Sequence, residues 1–377
     1  MRPWLGAEEA AAAAAAIASG WVAQGPRVAK FEDAFAARVG AQHGVAVSSC
    51  TAGLHLSLVV LGIGAGDEVV VPSLSFIATA NAVRYVGATP VFCDVDAATL
   101  NITADTIGSV LTPATRAVIV VHQAGTPADL DSIHAVCDPL GILVVEDAAC
   151  AVGSTYQGRS VGGTSELAAF SFHPRKLLTT GEGGMITTSR PEWATRLRRL
   201  REHGMSVSAA ERSQTSAPVV EEYLETGFNY RMTDVQAAIG IVQLTRLDAM
   251  VARRRLLALR YQERLAGIEG LVTAGDPPSG TTNFQSFWIT LPDATRSDNR
   301  AVLTQLAARG ISARRGIMAS HLEPAYAGHA HGPLPVTERL TSRSVILPLF
   351  HQMTDDEHER VVAAVQSAVC EPAAARS

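Results

Sequence analysis

The sequence predicts an α/β fold: a mostly parallel seven-stranded sheet between helices, followed by a smaller C-terminal α+β domain. Three observations carry this. Seven short apolar, β-branched runs recur between residues 45 and 188, most of them separated by helical stretches. Continuous apolar strands alternating with helices imply a parallel sheet covered on both faces. The chain has 377 residues, more than one core usually serves, which makes two domains the expectation. A helical pattern from about Thr233 to Leu265 reads as one long bridging helix, with a large domain over 1–245 and a small one over 246–377.

Taken in order, the chain opens with an alanine run, Ala10–Ala16, preceded by Glu8 and Glu9 and followed by Gly20. Acidic residues before a run of good helix formers suit a helix with favourable ends. The run lacks the basic start and bulky apolar centre of a signal peptide. A loop at Gln24–Arg27 then leads into a helix with Phe31 and Phe35 four apart, a buried stripe. The strands follow: Val45–Ser49, Glu68–Ser73, Thr89–Val95, Arg116–His122, Gly141–Asp147, Leu167–Phe172 and Gly184–Thr188. The last follows its predecessor so closely that antiparallel pairing is expected. A helix covers Glu192–His203, and Met205–Thr226 is polar without a clear period, a functional or mobile segment. Thr233 is placed as an N-cap before the stripe Ala237, Ile241, Leu244 and Leu247. FQSFWITL and helices near Asn299–Arg309 and Asp355–Val369 make the smaller domain, with loops at Gly275–Gly280 and His329–Pro335.

Composition narrows the function. Hydrophobic residues make up 47% and charged ones 18%, with a formal net charge of -5, which is globular. RLRRLREHG (Arg196–Gly204) is the basic stretch, and its spacing fits one solvated helix face. Nucleic acid is therefore not the expected partner. No segment reaches membrane length without charge. Five cysteines with no CxxC argue for a reducing cytoplasm and against a disulfide framework or zinc site.

Chemistry concentrates where strands end. In FSFHPRKLLTTGEGGMITT, Lys176 follows an apolar strand, at the edge where open α/β sheets bind ligands. A lysine there can form a Schiff base with a carbonyl, although a lone loop lysine is more often solvated. Ser48-Ser49-Cys50-Thr51 sits between a strand and a helix, where small residues and the helix dipole favour a phosphate; a plain N-cap reads equally well. Asp147 ends a buried strand, costly unless paired with a protonated ring nitrogen, a metal or an arginine. Glu146 points to the opposite face. Phe76, just past a strand, suits stacking on a planar cofactor or core filling. Ser171 faces away from Phe170 and Phe172, and Asn229-Tyr230-Arg231 precedes the bridging helix.

The ordered blocks SSCTAGLHLSL, DEVVVPSLSFIATANAV, EDAAC, SFHPRKLLTTGEGGMITT and GFNYRMTDVQAAIGIVQL closely resemble the DegT/DnrJ/EryC1/StrS sugar aminotransferases, fold-type I enzymes dependent on pyridoxal 5′-phosphate. The resemblance runs from about Trp21 to Leu349. It implies that Lys176 is the Schiff-base lysine, that Asp147 salt-bridges the pyridinium nitrogen, and that Phe76 stacks on the ring. It implies a phosphate cradle of Ser49, Cys50, Thr51 and Ser171, with Cys150 beside the cofactor. Asn229 matches the asparagine that reaches the neighbouring subunit's phosphate, so a homodimer with shared active sites is implied. Family dehydratases carry histidine in place of the lysine, so Lys176 argues against that chemistry.

Four departures stand out, one of them Leu177 where asparagine commonly follows the lysine. Cys50 replaces the glycine of the usual SGT, Cys150 replaces a Gln or His, a stronger hydrogen-bonding neighbour, and His122-Gln123-Ala124-Gly125 replaces the common HLYG. The resemblance implies nitrogen transfer, with pyridoxamine 5′-phosphate as the aminated form, from L-glutamate to a nucleotide-linked keto-sugar. A cyclitol or other ketone acceptor, or a non-catalytic regulatory role, are the alternatives. Proton shuttling asks for a depressed Lys176 pKa, supplied by burial and a nearby cationic cofactor. Candidate substrate groups are the 205–226 segment, His122, Arg231, Arg314, Arg315 and His321. His173 is expected to pack or hydrogen-bond beside the lysine turn.

Overall fold

The computed structural model describes residues 3–163, 165–208, 220–295 and 297–370. Helices α1 (Ala7–Ala18) and α2 (Pro26–Val39) precede the sheet. There follow β1 (His43–Val47), α3 (Cys50–Val60), β2 (Glu68–Pro72), α4 (Ala78–Tyr85), β3 (Thr89–Cys93), the short α5 (Ala104–Gly108) and β4 (Thr115–Val121). Next come α6 (Leu130–Cys137), β5 (Leu143–Asp147), the two-residue strands β6 (Thr155–Tyr156) and β7 (Arg159–Ser160), β8 (Ala168–Ser171), β9 (Gly184–Thr188) and α7 (Pro191–Leu200).

All seven expected runs are strands of one sheet, in the order β1-β9-β8-β5-β4-β2-β3. Only β9 runs against its neighbours, pairing antiparallel with both β1 and β8. Several expected strands overran by one or two residues, for a local reason. Ser48 leaves the sheet to donate its N–H to Tyr230 O (2.8 Å), and Ser49 caps α3 through Ala52 N–H at 3.1 Å.

Both faces of the sheet are covered, which explains its unbroken apolar strands. On β2, Val70 packs with Leu257, Tyr261 and Phe287, while Val69 and Val71 pack with Leu54, Leu58 and Val83 on the other face. The expected stripe on α2 is real: Phe31 and Phe35 are fully buried, and Phe35 meets the rings of Phe170 and Phe172 at 5.0 and 5.4 Å. Burying each such ring is worth about 1.5–3 kcal/mol.

The single long helix is corrected to two. Helices α8 (Asp234–Thr245) and α9 (Leu247–Leu265) meet at a 58° bend. Arg246 is both the C-cap of α8 and the N-cap of α9, with φ -99° and ψ -3°. Its guanidinium is drawn to Glu8 (2.6 Å) and Glu9 (2.8 Å) of α1 and lies over the Trp4 ring. Thr233 caps α8 as expected, in a box with Gln236. No single helix among the described residues is long and apolar enough to cross a membrane.

Beyond the bend, β10 (Val272–Thr273), β11 (Gly280–Thr281), β12 (Phe287–Thr290), α10 (Asn299–Ala308), β13 (Arg314–Arg315), α11 (Pro335–Arg343), β14 (Ser344–Leu347) and α12 (Asp355–Cys370) complete the chain. Four of these strands form a second sheet, β10-β12-β14-β13, while β11 joins β6 and β7. One apolar cluster runs from Val118 and Val144 in the large sheet to Trp288 and Val345 in the second, so the two parts share a core.

Candidate active site

Because every strand except β9 points the same way, the C-terminal ends of β1, β2, β5 and β8 share one edge of the sheet. That edge gathers most of the residues singled out from sequence. Asp147 ends β5 and is buried (5% exposed). Its carboxylate accepts the Thr79 hydroxyl at 2.8 Å and the Ala149 N–H at 3.1 Å. It makes no ion pair within 4.0 Å among the described residues, and burial pushes its pKa up, against the pull of Thr79, Ala149, Lys176 and His122. A buried acid in this state suits a cationic ring nitrogen. Glu146 faces the other way, against His122 and Ser165.

Lys176 rises from the turn between β8 and β9, its N–H bonded to His173 O at 2.8 Å. Its Nζ donates to Cys150 Sγ at 3.0 Å, which places Cys150 directly at the lysine. Burial disfavours the ammonium, but Cys150, Cys50 and Asp147 outweigh it, and the pKa lies above the ordinary lysine value. The expected depression therefore does not come from burial: the acidic groups around the amine reverse its effect. His173 accepts Arg175 N–H at 3.1 Å through Nδ1, inside the turn as anticipated.

Next to this pair lies the N-terminus of α3. Ser49 Oγ is used by Ala52, which leaves the N–H groups of Cys50 and Thr51 without partners in the helix. Cys50, in place of glycine, turns its sulfur inward, 3.5 Å from Ala169 O and 4.0 Å from Asp147 Oδ1; burial holds it as a thiol. Gly184 pairs with both Val47 and Ser171, so Ser49–Thr51 and Ser171 flank it. A Cβ on Gly184 would stand 2.6 Å from Ser49 C and 2.7 Å from Cys50 N. The last glycine of GEGG thus lets β9 approach the loop backbone. Two free N–H groups, hydroxyls and a helix dipole fit a phosphate.

Phe76 is 58% exposed at the rim, in the loop whose Ser75 and Thr79 lead to Asp147. Asn229 is exposed beside the α3 cap, and Arg231 is half-buried; neither has an ion pair or side-chain hydrogen bond among the described residues. Arg314 is half-buried on β13, and burial together with nearby Arg175 lowers its pKa. Arg315 is exposed and pairs with Glu323 at 3.2 Å. Residues 209–219 of the polar segment lie outside the described residues.

Two of the substrate candidates lie inside the core. His122 is fully buried, with Nε2 on Glu146 at 2.9 Å and Nδ1 accepting Ala128 N–H at 3.0 Å, so both ring nitrogens are used inside the core. The His321 ring is likewise fully buried and its Nδ1 is 2.6 Å from Ser73 Oγ; it docks residues 319–321 on the β2 end. Thr79, Asn283 and Gln285 were missed. Thr79 sits three residues after Phe76, and the alternation in Asn283-Phe284-Gln285-Ser286-Phe287 was the only local hint of buried polar work.

Comparison with known proteins identifies the family. The model of the DegT/DnrJ/EryC1/StrS aminotransferase family matches residues 3–366. The aminotransferase TlmJ from Streptoalloteichus hindustanus is 40% identical, with a TM-score of 0.89 and 97% of each chain covered. The sugar aminotransferase CalS13 from Micromonospora echinospora is 31% identical at a TM-score of 0.88, covering 97% of this chain and 98% of that one. Spr1654 from Streptococcus pneumoniae, assigned as a sugar aminotransferase and solved in PMP form, is 26% identical at a TM-score of 0.92, with 98% of each chain covered.

Proposed function

The chain belongs to the DegT/DnrJ/EryC1/StrS aminotransferase family, and from that premise we propose that it moves an amino group from L-glutamate to the ketone of a nucleotide-linked keto-sugar. It is a sugar aminotransferase dependent on pyridoxal 5′-phosphate. The observation that carries the chemistry is Lys176 Nζ lying 3.0 Å from Cys150 Sγ, with the buried Asp147 acting on the same amine.

When bound, the cofactor supplies an electron sink and a carbon able to exchange amines. The chain's own residues do the rest. The N–H groups of Cys50 and Thr51, with the Ser49, Thr51 and Ser171 hydroxyls, would hold the phosphate and so fix the cofactor's position. Asp147, its carboxylate oriented by Thr79 and Ala149, would hold positive charge at the ring nitrogen. Phe76, exposed at the rim, would cover the ring. Lys176 would hold the cofactor, and its amine is placed to move a proton to and from the substrate carbon. Cys150 stands beside the amine as a weak hydrogen-bonding neighbour.

An exposed Asn229 with no side-chain partner among the described residues, and Phe76 open at the rim, support a homodimer in which Asn229 completes the partner's phosphate site. Arg231 and Arg314 are the remaining acceptor candidates, since a guanidinium grips diphosphate bidentately. Free thiols at Cys50, Cys93, Cys137 and Cys150 suit a cytoplasmic enzyme. We retain the division into 1–245 and 246–377, with the bend at Arg246 as the border.

Two measurements test this reading. Nucleoside diphosphates should raise the thermal midpoint of the holoprotein, by the equivalent of about 2.7 kcal/mol at a hundredfold excess over Kd. Protection by a cyclitol ketone but not by any nucleoside diphosphate would overturn the acceptor class. Gly184→Ala should weaken cofactor binding at least about tenfold, near 1.4 kcal/mol, in an absorbance titration. Unchanged affinity would place the phosphate elsewhere.

A further inference from the structure

Behind the lysine turn lies a segment from the other end of the chain. The Gln285 amide accepts Leu177 N–H through Oε1 at 2.7 Å and donates through Nε2 to Arg175 O at 2.7 Å. One side chain therefore grips the peptide groups on both sides of Lys176. Gln285 is 3% exposed, and its own N–H is held by Asn283 Oδ1 at 2.7 Å. Asn283, fully buried, sends its amide hydrogens to Cys150 O at 2.9 Å and Val152 O at 2.8 Å. Its N–H goes to Ser154 Oγ at 3.0 Å.

The backbone between them is strained. Phe284 has φ +49°, a left-handed conformation that a bulky residue rarely adopts. It is held there by Arg254, which donates to Phe284 O at 3.2 Å, and by Arg255 over the ring at 5.6 Å. The facing turn is shaped to receive it. Gly125 has φ +98°, and a Cβ there would overlap Asn283 Oδ1.

We infer that Asn283-Phe284-Gln285 is a positioning clamp for the catalytic lysine, with Gln285 setting the Lys176 backbone and Asn283 setting the loop that carries Cys150. The two ends of the 3.0 Å Nζ–Sγ contact belong to different loops, and this tripeptide is bonded to both. With both flanking peptides pinned, only the side-chain torsions of Lys176 remain free. That narrows the amine's position where proton transfer is most sensitive to distance. Gln285 touches no reacting atom; it acts through Lys176. The inference rests on Lys176 carrying the cofactor.

The test compares wild-type holoprotein with Gln285→Leu and Gln285→Glu. Gln285→Leu removes both bonds and should slow the half-reaction with L-glutamate by about 10- to 100-fold, mainly in the limiting rate and not in half-saturation. The pH midpoint of the cofactor's visible band should move with it. Gln285→Glu keeps the acceptor for Leu177 and should recover part of the rate. In the apoprotein, loosening the clamp lets Lys176 leave Cys150, so its acetylation by acetic anhydride at fixed pH should speed by about threefold per half unit of pKa. A staple that only stabilised the fold would lower the thermal midpoint and leave band midpoint and acetylation unchanged, which would overturn the clamp. If Gln285→Leu fails to fold, the same readouts on Gln285→Glu decide: a wild-type band midpoint and rate overturn it. Borohydride trapping in each sample separates the two levels. Attachment away from Lys176 in wild type overturns the lysine assignment and the clamp with it; attachment at Lys176 with an unchanged titration overturns the clamp alone.

Discussion

Lys176→Ala should leave a folded protein that binds pyridoxal 5′-phosphate without covalent attachment and transfers no measurable nitrogen from L-glutamate. The half-reaction rate should fall by at least about 10⁴, the upper range for losing a positioned general acid–base group. The reason is geometric. Lys176 is the only lysine between Lys30 and the chain's C-terminus, so no second lysine follows it to take over. Stability should change little, because the charge of the amine is opposed by burial and supported by Cys150, Cys50 and Asp147. The measurements are the visible absorbance band, borohydride trapping with peptide mass, and the single-turnover rate. Covalent trapping on the Lys176→Ala variant, or turnover within about a hundredfold of wild type, would remove Lys176 from the centre of the mechanism. Capture of the cofactor by wild-type apoprotein should also accelerate as pH rises, since the raised pKa keeps the amine protonated and unreactive at neutral pH.

Asp147→Asn should lower the same half-reaction by about 10²–10³, the usual cost of removing one preorganised electrostatic partner. In the apoprotein it should not destabilise the fold at pH 7, and should raise the thermal midpoint. The sign follows from the direction of the shift. Burial raises the Asp147 pKa above its unfolded value, so the folded state binds more protons between those two values. Wild-type stability therefore falls as pH rises through that window, and asparagine has no such loss. The advantage of Asp147→Asn should be full above the window and disappear below the ordinary carboxylate range, near pH 4. Thermal midpoints of both apoproteins from roughly pH 4 to 8 check this. A variant that loses stability at pH 7 yet keeps its turnover would mean that Asp147 is a structural acid.

The site was legible wherever chemistry follows directly from the end of a strand. Asp147 and Lys176 lie on adjacent parallel strands or the turn just beyond, so knowing that both runs are strands already puts them on one edge. The Ser49–Thr51 cap was legible for the same reason. His122 too stands at a strand end, yet its ring turns into the core, where Glu146 and the Ala128 N–H use both nitrogens, a direction that strand position does not reveal. The bend at Arg246 was invisible to helical periodicity because one of the partners that draw the guanidinium away, Glu9, lies 237 residues earlier. Gln285 acts on peptides 108 and 110 residues before it, and nothing in its own surroundings announces that.

By itself the sequence determined the seven strands and the direction in which most of them run, and it singled out the lysine, the acid and the Ser49–Thr51 loop that the fold brings to one edge. Those depend on local apolar pattern and on motifs a few residues long. Only the tertiary structure decided which histidines are core residues, where the bridging helix breaks, and what holds the lysine against Cys150. Those are set by hydrogen bonds and burial between segments far apart in the chain, where the energy of a contact belongs to neither segment alone.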